Sequence, residues 1–297
     1  MNNKENILVI KHGALGDLIQ ADGLYKSIRG KHKNAKIILL TSKKFVKLME
    51  RCPYFNGCII DDRPSIFRVP SYINLYKEII KYNFKIIYDL QNSQRTYIYR
   101  QFFLKKIKWI STNREGHAIS GLRGLEEMLR GGLAGIKYVS KPALNWLATD
   151  VKNLIREKKI SSKYIVLLPG SSKSNPLKRW PYFKELALLL KSKGFEIVTI
   201  LGPEESEMDT TWPGHILKNL DLFQLAGFIK NSHFIIGNDS GPCHIASCLN
   251  KKGLALFGSS TSAIRSELKR GRFEILKVRD LKKLTPKKVF DAASEFF

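Results

Sequence analysis

The residues best placed to do chemistry lie where apolar runs meet glycine-containing turns. The stretch "KHGALGDLIQADG", residues 11–23, follows the apolar run 7–10. A strand, a glycine turn and a helix in that order commonly serve phosphate, because a helix N-terminus attracts anions. Asp17 occupies the mouth of this turn, and its carboxylate would repel phosphate. It either caps the helix or serves another purpose. Three turns in the second half differ in character. "LLPGSSKSNPLKRWP", 167–181, carries Ser171, Ser172 and Lys178, with Pro181 near a helix start. Hydroxyls and a lysine at such a turn suit phosphate, although the Walker pattern G-x-x-x-x-G-K-[ST] is absent. "ILGPEESE", 200–207, places Glu204 and Glu205 where carboxylates can meet ribose hydroxyls. Taken alone, these two are better explained as acids at the start of a helix. In "FIIGNDSGPCHIASC", 234–248, Asp239 can cap the helix, Ser240 follows it, and Gly241 permits close approach to a ligand. His244 lies one turn further on, near N–H groups that could hold a diphosphate.

The elements that must position these residues alternate. Strand-like runs fall at 7–10, 36–41, 57–60, 84–88, 107–110, 164–168, 195–201, 233–237 and 253–257. Helical patterns lie between many of them, at 17–31, 71–82, 180–193 and 241–250. Such alternation predicts an α/β protein with parallel sheets covered on both faces. The stretch 141–163 has a Pro start, one amphipathic helix and a polar end, after which "YIVLLPG" opens a second strand-first unit. We therefore expect two Rossmann-like domains facing a central cleft, 1–155 and 156–297, with ligands beyond the carboxyl ends of the strands. The stretch 111–140, with Arg114, Arg123 and Arg130, fits either a mobile segment facing anionic groups or a plain helix with solvated charges.

Composition narrows the class. In 297 residues, 43% hydrophobic content supports a sizeable core and argues against disorder. No apolar run approaches a membrane span, and the start "MNNKEN" lacks the features of a signal peptide. The expectation is a soluble cytoplasmic protein. The formal net charge of +25 points to an anionic partner or to compositional bias, since basic residues are spread throughout a chain rich in Lys, Ile and Asn. Cys52, Cys58, Cys243 and Cys248 lack tight C-x-x-C spacing, so reduced thiols and no metal site are expected.

A family resemblance gathers these turns. "NDSGPCHIASCLNKKGLALFGSS" resembles the D-[ST]-G-x-x-H-[IL]-A-A block of the glycosyltransferase family 9 heptosyltransferases. "ILVIKHGALGDLIQADGLYKSIR", "IIYDLQNSQRT", "LLPGSSKSNPLKRWPYFKELALLL", "TILGPEESE" and "DLKKLTPKKVFDAA" resemble that family's other landmarks, in its order and over nearly the whole chain. The resemblance implies a GT-B fold, with an N-terminal acceptor domain and a C-terminal nucleotide-sugar domain. It implies an inverting, metal-independent glycosyltransferase without a cofactor. Heptose would move from ADP-heptose, the donor substrate, to a lipopolysaccharide-core or related cell-envelope acceptor. Asp17 would then be the general base, which resolves the puzzle of its position. An inverting transfer needs a base for the acceptor hydroxyl and positive charge on the leaving diphosphate. By the same pattern Lys178 and the Ser171–Ser172 turn would hold the diphosphate. Glu204 or Glu205 would meet the nucleoside, and Asp239, Ser240, Gly241 and His244 the donor sugar and phosphate. Gly13, Gly16, Gln91, Arg95, Arg114 and Arg123 would face the acceptor.

The chain departs from the pattern at Asp22–Gly23, where the family often has Pro, and at residues 258–262, "GSSTS", where it often has G-P-T-D-P. The donor sugar and base therefore stay open, and the same fold with another nucleotide sugar is the nearest alternative. A nucleic-acid-binding protein would show a known module and clustered charge, and neither is present. A glycan-binding relative without catalysis is countered by Asp17 and Lys178. A Rossmann dehydrogenase lacks its G-x-G-x-x-G here. A monomer with peripheral contact to the cytoplasmic face of the inner membrane, and no nucleic-acid partner, completes the expectation.

Overall fold

The structure is a computed structural model that describes residues 5–65, 68–112, 121–131, 134–172, 175–205, 211–260 and 266–297. The chain divides into two compact units, Met1–Pro142 and Ala143–Phe297. The stretch 143–155 belongs to the second unit, where the Thr149 N–H donates to the Phe223 carbonyl at 3.1 Å. The division thus precedes this connecting stretch.

The first unit is built on five strands: β1 (Asn6–Ile10), β2 (Lys36–Thr41), β3 (Gly57–Ile60), β4 (Ile86–Asp89) and β5 (Lys108–Ile110). They lie in the order β3-β2-β1-β4-β5, all parallel. β1 is central and covered on both faces, which is why it is a continuous apolar run and not an alternating one. Leu8, Ile10, Ile38, Leu40 and Ile59 pack one face with Tyr72 and Ile79 of helix α4 (Val69–Ile80). Ile10 pairs with Asp89, so the strand order reverses between β1 and β4 with their ends level. Open sheets bind ligands at such a switch point.

The helix expected over 17–31 is two helices, α1 (Leu15–Gln20) and α2 (Asp22–Lys31). At Gly23 in the first turn of α2, an added Cβ would lie 2.0 Å from the Ser140 carbonyl oxygen. The crossing segment is fixed there by the Ser140 N–H donating to Ser27 Oγ at 2.8 Å. That approach gives Asp22–Gly23 a local reason for departing from the family pattern. Between them lie a four-residue helix α3 (Val46–Met49) and, after β4, α5 (Gln94–Ile98), which continues as a π-helical turn Tyr99–Phe103. In the stretch 111–140 the described residues include helix α6 (Gly121–Arg130), whose Leu122, Leu125 and Leu129 are buried at helical spacing.

The second unit has six strands: β6 (Tyr164–Leu168), β7 (Glu196–Leu201), β8 (His215–Lys218), β9 (Phe234–Asn238), β10 (Gly253–Phe257) and β11 (Phe273–Lys277). Their order is β11-β10-β9-β6-β7-β8, again all parallel, with the switch point between β6 and β9. β8 and β11, which the apolar-run reading misses, are the two edges and are only partly buried. An edge strand does not need a continuous apolar run. The amphipathic helix expected in 141–163 is reduced to a 3-10 turn, Leu144–Trp146, and a short helix α7 (Lys152–Glu157). Helices α8 (Phe183–Ser192), α9 (Leu222–Asn231), α10 (Gly241–Cys248) and α11 (Pro286–Ser294) complete this unit. Phe183, Leu186 and Leu190 of α8 pack with Val289 and Ala293 of α11 over the sheet. Among the described residues, no helix is long and apolar enough to cross a membrane.

Candidate active site

In the first unit the chain leaves β1 through residues tied to both neighbouring strands. The Lys11 ammonium donates to the Leu90 carbonyl at 3.0 Å, and the His12 N–H donates to Gln91 Oε1 at 3.0 Å. Below them His12 Nε2 lies 2.7 Å from Asp61 Oδ2, both side chains 1% exposed. The Tyr99 hydroxyl donates to the same oxygen at 2.6 Å, and the Arg63 N–H to Oδ1 at 2.8 Å. Burial pushes the Asp61 carboxyl up, but hydrogen bonds with His12, Tyr99 and the Arg63 N–H outweigh it and leave it below the ordinary carboxylate value. Asp89 ends on the other side. Burial dominates and raises it, despite N–H donation from Gln91 and Asn92. Burial likewise lowers the Lys11 ammonium.

This buried base supports the turn. Gly13 has φ +132°, and an added Cβ would lie 2.4 Å from the Phe45 ring, so the turn requires glycine. Gly16 and Asp17 are the second and third residues of α1. The helix cap position is Ala14, which has no side-chain acceptor. Asp17 is therefore not the N-cap, but its Oδ2 accepts the Ala14 N–H at 3.0 Å. Its carboxylate is exposed, and Oδ1 has no hydrogen-bond partner among the described residues.

The remaining residues expected near the acceptor part company. Gln91 shapes the turn through His12. Arg95 donates to the Tyr72 hydroxyl and to the Pro64 carbonyl at 2.9 Å, and lies over the Tyr72 ring at 5.6 Å. Its guanidinium braces the segment after β3. Arg114 and the side chain of Arg123 lie outside the described residues.

In the second unit three strand ends are stitched together. Asn238, fully buried at the end of β9, donates through Nδ2 to the Pro169 carbonyl at 2.7 Å. Its Oδ1 accepts the Trp180 N–H at 3.1 Å. Trp180 in turn donates its indole N–H to the Leu284 carbonyl at 2.9 Å. The chain between, a 3-10 turn over Pro176–Lys178, brings the Lys178 ammonium to 2.7 Å from Asp239 Oδ2. His244 Nε2 lies 3.9 Å from Asp239 Oδ1. Asp239 is 6% exposed and Lys178 22%. Ser240, not Asp239, is the N-cap of α10; the capping expectation for Asp239 gives way because its carboxylate is engaged by Lys178. Gly241 begins α10, whose first-turn N–H groups have no acceptor within the helix.

Arg179 extends the stitch. It donates to the Ser171 carbonyl at 2.8 Å, to Ser171 Oγ at 3.3 Å and to Glu205 Oε1 at 2.8 Å. Glu205 Oε2 accepts the Gly202 N–H at 3.1 Å. Glu205 is thus buried with an intramolecular partner on each oxygen, and Ser171 is buried beside it. Ser172 is exposed, and the Glu204 side chain lies outside the described residues. Asn238 and Arg179 were not singled out from sequence. Each adjoins a residue that was, Asp239 and Lys178, and their buried positions explain their types. An ammonium has three donors and a guanidinium five, so both cations keep donors beyond these ion pairs. Among the described residues no three of His, Cys, Asp and Glu group as metal ligands, and all four cysteines are free.

Each unit is a doubly wound parallel sheet, with the exposed carboxylate of Asp17 near one switch point and Lys178 and Arg179 beside a helix start at the other; the architecture is that of a GT-B-like α/β protein. The family model described as glycosyltransferase family 9 (heptosyltransferase) matches residues 133–270. Lipopolysaccharide heptosyltransferase 1 of Campylobacter coli is 26% identical over 298 residues, covering 86% of this chain and 84% of that protein. The glycosyl transferase family 9 structure from Veillonella parvula superposes with TM-score 0.78 at 17% identity, over 100% of this chain and 98% of that one. The E. coli heptosyltransferase WaaC with ADP-2-deoxy-2-fluoro heptose gives TM-score 0.74 at 16% identity, over 98% of this chain and 99% of that one. At those identities the two structures speak for the fold. The chain is a glycosyltransferase, similar to glycosyltransferase family 9 over residues 133–270 and to a lipopolysaccharide heptosyltransferase over most of its length.

Proposed function

We propose that the protein transfers heptose from ADP-heptose to a lipopolysaccharide-core or related cell-envelope acceptor, inverting the anomeric centre without a metal or cofactor. The observation that carries this is the group Lys178, Asp239 and His244 at the β6/β9 switch point, inside the matched region 133–270. The names of the relatives support the choice of sugar and acceptor. In this reading Asp17 takes the acceptor hydroxyl's proton as its oxygen attacks C1. The bond from C1 to the diphosphate breaks, and ADP leaves as Lys178 and the first turn of α10 stabilise its charge. Asp239 holds Lys178 in place, while Ser172, Glu204, Ser240, Gly241 and His244 contact the donor. Gly13, Gly16 and Gln91 form the acceptor side, joined by Arg114 and Arg123. The first unit thus serves the acceptor and the second the donor, in a cytoplasmic monomer working at the inner face of the membrane, with no nucleic-acid partner.

The test is ADP release from ADP-heptose with a heptose-acceptor core glycolipid, with product anomer assigned by NMR, in the presence and absence of EDTA. Transfer that survives EDTA and inverts the anomer is expected. Transfer only from another nucleotide sugar would overturn the donor, retention the mechanism, and loss with EDTA the metal independence.

A further inference from the structure

Helix α4 carries an apolar stripe that faces solvent. Val69 is 58% exposed, Ile73 45%, Tyr76 37% and Ile80 49%. Their spacing of i, i+4, i+7 and i+11 gathers them within about 60° of arc at ~100° per residue. On the adjoining flank of the same helix Tyr72 and Ile79 are buried in the first unit. The apolar face of α4 thus extends beyond the part that the core covers. The segment packed beside α4 extends it: the Phe103 ring lies 6.0 Å from Tyr76, and its neighbours along the chain include Tyr97, 47% exposed, and Phe102, 77% exposed. Isolated exposed apolar side chains are ordinary, but a row of them on one helix face with two more aromatics on the adjoining segment marks an interaction site.

The surrounding charge selects the occupant. Residues 68–108 contain nine Lys and Arg and two carboxylates. One of those carboxylates, Asp89, is buried, so Glu78 stands alone against exposed Arg68, Lys77, Lys81, Lys85, Lys105 and Lys106. A helix lying flat with apolar and aromatic side chains on one face, flanked by cations, is the arrangement that enters the headgroup region of an anionic bilayer. A protein partner of matching acidity would also have to cover an apolar stripe about 16 Å long at 1.5 Å per residue, whereas a lipid surface meets both demands at once.

We propose that the exposed face of α4, with Tyr97 and Phe102, is the surface by which this protein docks on an anionic lipid bilayer. The stripe enters the acyl boundary, and Arg68, Lys77 and their neighbours meet lipid phosphates. This rests on the peripheral membrane contact proposed above and names the surface that makes it.

The experiment is vesicle flotation of the full chain without donor or acceptor. Phosphatidylcholine vesicles are compared with vesicles that also contain phosphatidylglycerol. Because no sugar is present, its failure leaves the transfer reading intact, and failure of transfer leaves docking intact. Binding is expected to phosphatidylglycerol vesicles, to weaken with salt, and to fall about tenfold or more in Ile73→Ser/Ile80→Ser, which removes two inserted side chains. Phe102→Ser, on a different segment, should weaken binding in the same direction, which guards against misfolding of the helix variant. Lys77→Gln should lose about fivefold, the worth of one surface cation, with unchanged melting. Equal binding to both vesicle types, or unchanged binding in both apolar variants, would overturn the proposal. So would a dimer in sedimentation that dissociates in Ile73→Ser/Ile80→Ser while vesicle binding persists, since the stripe would then belong to a second copy of the chain.

Discussion

The two sheets reverse strand order in the same way and furnish their switch points oppositely. Between β1 and β4 the protein fills the space with its own buried polar groups, Lys11, His12, Asp61, Asp89 and Tyr99, and leaves Asp17 outside. Between β6 and β9 it buries the acids, Asp239 and Glu205, and leaves the cations Lys178 and Arg179 partly exposed, at 22% and 32%. One edge thus presents a carboxylate and the other presents N–H donors. The lesson concerns what a Rossmann-like edge can be made to offer. The topology supplies a crevice and a helix start, and the sign of the charge left at the surface decides which kind of group it can receive.

The strongest way to break this contrast is Asp17→Asn. Asparagine keeps the size and an oxygen for the Ala14 N–H, so the turn should survive. It cannot take a proton at neutral pH, and kcat should fall about 10²–10⁴-fold, with donor Kd unchanged. Melting temperature and kcat measured on the same preparation separate the roles. A near-normal kcat would reduce Asp17 to the acceptor of the Ala14 N–H. Unfolding would make the carboxylate structural first.

Next in size is the buried support. Asp61→Ala would leave His12 without its partner at 1% exposure, and removing one member of a buried pair costs about 3–5 kcal/mol. Chemical denaturation measures it. The pH dependence has a definite sign. The Asp61 carboxyl is held below its ordinary value, so its contribution is full above the unfolded carboxylate pKa. It is lost as pH falls through the lower folded value. The stability gap between the native chain and Asp61→Asn should therefore be widest near neutrality and close in acid. Asp89 is raised by burial, so it runs the other way: Asp89→Asn should gain on the native chain as pH rises through the raised value. A common sign for the two variants would contradict the description of this edge.

Third comes Lys178→Ala, which alters the cationic edge. It removes positive charge from the leaving group, so donor affinity and turnover should fall together. A hydrogen bond to a charged group is worth about 1.5–3 kcal/mol, or ~10–150-fold. Isothermal titration with ADP and steady-state kinetics check both terms. A loss in kcat alone would show that Lys178 acts only in the transition state.

How much of this was legible in the sequence follows from which signals are local. Seven of the nine apolar runs are inner strands, which must be apolar throughout because both faces are covered, and the other two, β3 and β5, are the edges of the first sheet. The edge strands β8 and β11 carry His215, Lys218, Glu274 and Lys277 and give no such signal. The turn residues were legible because a strand end followed by glycine is visible in a single line of sequence. Arg179, Asn238, His12 and Asp61 were not, since their partners are 26, 69 and 49 positions away. Their importance is a property of the fold that brings those partners within hydrogen-bond reach. The requirement for Gly23 was hidden for the same reason: it answers to Ser140, far along the chain.

Glu205 offers the smallest and most discriminating test of the donor edge. Its side chain is 6% exposed, with one oxygen on Arg179 and the other on the Gly202 N–H. Glu205→Gln keeps the size and one acceptor but weakens the link to a guanidinium that is only partly exposed, an effect of about 1–2 kcal/mol. The edge formed by the Ser171 and Gly202 turns should loosen, and donor KM should rise about tenfold with kcat little changed. The choice of ligand then separates a brace from a ribose contact. If Glu205 acts only through the turns, ADP and its 2′-deoxy and 3′-deoxy analogues should lose affinity by the same factor. If it accepts a ribose hydroxyl, one deoxy analogue should bind the native chain weakly and lose nothing further in Glu205→Gln. A parallel Glu204→Gln variant tests the neighbouring acid by the same comparison, and a hydroxyl-selective loss there with a uniform loss at Glu205 would assign one glutamate to the ligand and the other to the fold.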